Sequence, residues 1–89
     1  MLEGHAQAAM GDLFSAAGSL DKAAEHYRAS LDIRREIGDR KGEGWMLARL
    51  AGATAAQSAD EAHAFLQQAR AIADEVGDSQ LKEICARLS

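Results

Sequence analysis

The feature that most constrains this chain is that it repeats itself. Glu3-Gly4 returns as Glu43-Gly44, Ala8 as Ala48, Met10 as Leu50 and Ala16 as Ala56, all at a shift of forty. Further along the shift is thirty-nine: Ser19, Asp21 and Ala23 return as Ser58, Asp60 and Ala62, while Ile33, Glu36, Gly38 and Asp39 return as Ile72, Glu75, Gly77 and Asp78. A one-residue deletion near Gln57 accounts for the change. A period of this length dictates the architecture, because each unit is one supersecondary piece that buries its apolar side by stacking on the next.

Within each unit the apolar positions recur at three- and four-residue spacing, the period of helices. A first helix carries Ala6, Met10, Leu13, Phe14 and Ala17 on one side, and Gly18-Ser19 makes a short turn. A second helix presents Leu20, Ala23, Ala24, Tyr27, Leu31 and Ile37 inward, with Lys22, Glu25, Arg28, Asp32 and Arg35 outward. Gly38 can take the left-handed conformation that ends a helix and Asp39 can cap the next, a device repeated by Gly77-Asp78. A third helix is predicted from about Lys41 to Ala56, with Trp45, Leu47, Leu50 and Ala51 its packing residues. Ser58 and Glu61 have capping-box spacing for a fourth, which buries Ala62, Phe65, Leu66, Ala69, Ile72 and Val76. A fifth, from about Ser79 to Leu88, offers Leu81, Ile84, Cys85 and Leu88.

The sequence therefore predicts an all-α, antiparallel helix-pair solenoid of five helices, about two and a half repeats: repeat 1 over about 1–38, repeat 2 over about 39–77 and a terminal helix over 78–89. Composition agrees. Only 4% of residues are aromatic and none is proline, so the 47% hydrophobic content, dominated by alanine, suits closely packed helices rather than a sheet. At 89 residues the core must be thin.

Ten basic residues against fourteen acidic ones give a net charge of −4, which repels phosphate backbones, so no direct nucleic-acid ligand is expected. The single cysteine, Cys85, has no partner for an internal disulfide or a C-x-x-C metal site, and reads as a small buried hydrophobe in a reducing compartment. Apolar runs are short and the N-terminus has no basic-then-apolar signal, so a cytoplasmic protein away from membranes, or a piece of one, is expected. His5, His26 and His63 have no i, i+4 partner suited to a shared metal, and no phosphate loop runs through Gly38, Gly42 and Gly44. Many of the acidic residues fall on outward helical faces. No metal, cofactor or enzymatic activity is predicted.

Met10-Gly11, Phe14, Gly18, Ala23 and Tyr27 closely resemble the tetratricopeptide repeat signature, and Leu50-Ala51, Thr54, Ala62, Leu66 and Ala69 keep it more loosely. Gln57 stands where the second turn glycine would be, Ser30 where a second small residue would be, and the usual helix-ending proline is missing. The junction from Glu36 to Trp45 looks like the variant with about forty residues per repeat, found in kinesin light chains, spindle-orientation adaptors and sensor regions of bacterial transcription regulators. The resemblance implies protein binding and leaves the partner open.

It also implies a working surface. In this family the first helix of each pair lines a concave groove, which maps onto His5, Ala8, Ala9, Asp12, Ser15 and Ala16 in the first unit and Trp45, Ala48, Arg49, Gly52, Ala55 and Ala56 in the second. If Ala86-Arg87-Leu88 repeats Ala48-Arg49-Leu50, Arg87 extends the row. Arg49 and Arg87 would hold an acidic or C-terminal carboxylate, or else pair with Asp12 and its neighbours. Trp45 either anchors a ligand or packs in the junction. The Lys and Asn clamp of chaperone-binding members is not present, since Ala8 and Asp12 occupy its places.

The ends look unfinished. The chain begins where a preceding repeat would hand over, which suggests a fragment of a longer regulatory or adaptor array. The terminal helix has apolar Leu81, Ile84, Cys85 and Leu88 with few polar neighbours, so an alternative function is structural self-assembly, two copies burying that surface in a homodimer.

Overall fold

Among the described residues five helices form in chain order: α1 (Leu2–Ala16), α2 (Leu20–Glu36), α3 (Arg40–Thr54), α4 (Ala59–Val76) and α5 (Ser79–Leu88). The computed structural model describes residues 2–88, with side chains from residue 9 onward. Glycine ends three of the helices. Gly18, Gly38 and Gly77 have φ of 83°, 75° and 69°, and the next residue's N–H reaches back five places: Ser19 to Phe14 O (2.8 Å), Asp39 to Arg34 O (2.8 Å) and Asp78 to Ala73 O (3.1 Å). These are Schellman closures that satisfy otherwise orphaned carbonyls. At the end of α3, Gln57 takes the place of a glycine, and Ser58 N–H instead bonds Thr54 O at 2.8 Å.

The predicted caps are in place. Asp39 accepts from Gly42 N–H at 3.0 Å, Ser58 from Glu61 N–H at 3.3 Å, and Asp78 from Gln80 and Leu81 N–H at 3.0 and 3.2 Å. The capping box at Ser58 is thus half made, since Thr54 O has taken the Ser58 N–H.

α1 packs on α2, α2 on α3, α3 on α4, and α5 closes against both α4 and α3. The core runs through this stack: Tyr27 and Leu31 of α2, Met46, Leu47 and Leu50 of α3, Leu66 and Ile72 of α4, and Leu81 and Cys85 of α5. Each fully buried leucine contributes about 1.5–3 kcal/mol by leaving water. Close approach depends on missing side chains: a Cβ on Gly11 would stand 2.6 Å from the Tyr27 ring, and one on Gly44 2.8 Å from Ile72 and Leu81. Buried polar groups are matched, as burial requires. Ser30 accepts from Arg34, Thr54 donates to Leu50 O, and Glu43 takes Arg35 and Arg40 at 3.0 and 3.2 Å.

Several residues expected in the core lie at the surface. Met10 and Leu13 are 41% and 66% exposed, and Ala17, Ile37 and Val76 are exposed too. A forty-residue shift carries Met10 and Leu13 onto Leu50 and Ala53, both buried. Those two belong to α3, which packs on both α2 and α4, whereas α1 packs chiefly on α2. Ile37 and Val76 each directly precede a terminating glycine. Helical spacing marks a face but not how far along it a neighbour extends. The side chain of Ala6 lies outside the described residues.

Candidate interaction groove

Residues of α1, α3 and α5 line one face of the stack, and two adjoining cavities open there. One, of about 460 Å³, is bordered by Ala9 and Asp12 of α1, Arg34 and Asp39, and Lys41, Gly42, Trp45, Met46 and Arg49 of α3. The other, of about 420 Å³, is bordered by Ser15, Tyr27, Trp45, Ala48, Arg49, Gly52 and Ala53, with Ile84 and Leu88 of α5. Trp45 and Arg49 border both, so the two form one groove with a charged half and an apolar half.

Asp78 joins α5 to that surface. Besides capping α5 it accepts from the Trp45 indole N–H at 3.0 Å and lies 3.8 Å from the Lys41 ammonium. The Leu81 N–H first, then the Trp45 indole and Lys41, hold its carboxyl below the ordinary value against the opposing effect of burial. Trp45 is therefore tied into the junction, the second of its two expected roles, and part of it also borders the groove.

Three helices meet at Asp12. Its Oδ1 accepts from the Tyr27 hydroxyl at 2.6 Å, and Arg49 Nη1 lies 2.7 and 2.6 Å from its two oxygens. Burial, then the bond to Asp12, pushes the Tyr27 phenol up to about 12. Arg49 thus has an internal carboxylate, the second of the two arrangements the sequence left open. Arg34 donates to Asp39 at 2.7 Å.

The sequence-selected residues separate. Asp12, Ser15, Trp45, Arg49 and Gly52 border the groove. The side chains of His5 and Ala8 lie outside the described residues. Arg87 is exposed, pairs with Glu83 at 2.7 Å and does not border either cavity. The caps explain this: Asp39 and Asp78 start α3 and α5 thirty-nine residues apart, so Leu88, not Arg87, repeats Arg49, and Ile84 repeats Trp45. Of the four residues assigned to self-association, Leu81 and Cys85 are fully buried and unavailable to a second copy, while Ile84 and Leu88 border the groove. Tyr27, Arg34, Asp39 and Lys41 were not selected as groove residues, and for Ile84 and Leu88 the register of the caps was the missed signal.

Among the described residues there is no group of three or more His, Cys, Asp or Glu able to hold a metal ion, and no helix long and apolar enough to cross a membrane. The fold defines an all-α protein built of stacked helix pairs. A family model described as tetratricopeptide repeat matches residues 4–75, most of the chain, and the chain belongs to that family. α5 lies beyond the matched residues. No curated protein and no solved structure matches it. Tetratricopeptide repeats generally mediate protein–protein interactions and are typically not catalytic.

Proposed function

We propose that this chain is a protein-interaction module that takes a partner's peptide segment, or the side of a partner helix, in the groove of α1, α3 and α5. The observation that carries the reading is the adjoining pair of cavities, bordered on α3 by Trp45, Arg49 and the side-chain-free surface of Gly52. Small residues admit an incoming backbone, and tryptophan and arginine are both enriched at interaction hot spots. We place the repeats at about 1–38 and 39–77 with a terminal helix over 78–89, and the working compartment in the cytoplasm, which suits a chain whose one cysteine is buried.

The test uses the single tryptophan. Peptides recovered from a displayed random library are titrated against the protein while Trp45 emission is followed, and again against Gly52→Phe, which fills the groove. Groove binding predicts a shifted emission and affinity lost in the variant. Ligands that bind both proteins equally and leave Trp45 emission unchanged would overturn the reading.

A further inference from the structure

We infer that Asp12 sets the specificity of this groove: by occupying Arg49 it directs the concave face to uncharged, apolar peptide segments and away from acidic ones. The inference rests on the groove reading above and deepens it. Its ground is charge bookkeeping across the lining. Three described cations border the groove, and each has a carboxylate within 4 Å: Arg49 with Asp12 at 2.6 Å, Arg34 with Asp39 at 2.7 Å and Lys41 with Asp78 at 3.8 Å. An acidic ligand therefore meets a neutralised surface. To reach Arg49 it would displace a carboxylate that also holds the Tyr27 hydroxyl, and the displaced Asp12 would stand beside the newcomer as a like charge. The apolar half offers what an uncharged side chain needs: Trp45, Ile84 and Leu88 border about 420 Å³ over a buried floor of Tyr27, Ala48 and Ala53, and Leu88 is 45% exposed. Covering such surface is favourable in proportion to its apolar area.

Asp12→Asn separates charge from shape. The amide oxygen can still accept from Tyr27 and Arg49, but the guanidinium is no longer neutralised. A displayed random-peptide library is panned on the native protein, on Asp12→Asn and on Asp12→Asn with Arg49→Ala, each first shown to keep its helical content and unfolding midpoint. The native protein is expected to enrich bulky aliphatic and aromatic residues without acids. Asp12→Asn should enrich Asp, Glu or a free C-terminal carboxylate, binding synthetic copies about tenfold more tightly than the native protein does, the scale of one charge-assisted hydrogen bond. Added salt should weaken that acquired binding, and Arg49→Ala in the same background should abolish it. Acidic peptides that bind native protein and Asp12→Asn within twofold overturn the role of Asp12. Gly52→Phe keeps the two failures apart: acidic selection by the native protein that this variant abolishes sinks the inference alone, whereas peptides indifferent to it, or no enrichment on any form, sink the groove reading.

Discussion

At the scale of single residues, glycine gives the sharpest contrast. Replacing helical glycine by alanine gains up to about 1 kcal/mol of helix propensity. At Gly52 a new Cβ meets nothing within 4 Å, so Gly52→Ala is expected to stabilise by about that amount. At Gly44 the same atom would stand 2.8 Å from Ile72 and Leu81, and overpacking costs about 1–3 kcal/mol. Gly44→Ala should therefore destabilise by about 1 kcal/mol net, and urea denaturation of the two variants checks the opposite signs. Tyr27 supplies a second test, since it is the chain's one tyrosine. Its phenol, neutral when protonated, rises from 10.0 to about 12 on folding, so its stabilising contribution is complete below pH 10 and is lost as pH climbs towards 12. Phenolate absorbance should titrate near 12 in native protein and near 10 in urea; a native midpoint near 10 would show that the phenol is neither buried nor bonded to Asp12 in this way.

At the scale of elements, α5 lies outside the family match, and one side chain caps its first turn. Asp78 caps its first turn through two N–H groups and also ties Trp45, so Asp78→Ala is expected to cost about 1–2 kcal/mol and to speed amide exchange in α5 ahead of α2 and α3. Because folding lowers this carboxyl below 3.8, its contribution is present above that pH and is lost as pH falls through the folded value. Protection of the α5 amides, taken as observed exchange relative to each amide's own intrinsic rate at that pH, should fall below pH 3.8 in the native protein, and Asp78→Ala should remove that dependence. Caps and terminating glycines were legible in the sequence because they act on the backbone within a few residues. The place of Arg87 was not, because a match of three residues competed with the register set by Asp39 and Asp78, and a start fixed by a cap carries through the whole helix. Nor could spacing show that Asp12 on α1 meets Arg49 on α3, thirty-seven residues away, since that contact exists only once α1 and α3 have both packed on α2.

At the scale of the whole molecule, the repeat makes an internal control available. Met10 and Leu50 hold the same place in their units, yet Leu50 is 0% exposed and Met10 41%. Leu50→Ala removes a side chain from the centre of the stack and should cost about 2–5 kcal/mol, a large share of the roughly 5–15 kcal/mol that holds a domain together. Met10→Ala, at a half-open site, should cost under about 1 kcal/mol. Sequence similarity alone would assign the two changes similar penalties, and burial separates them. Chemical denaturation of both variants at two protein concentrations decides the matter. If Met10→Ala proved as damaging as Leu50→Ala, and more so at high concentration, the outer face of α1 would be covered in solution by another copy, because loss of a contact between chains scales with association whereas loss within a chain does not.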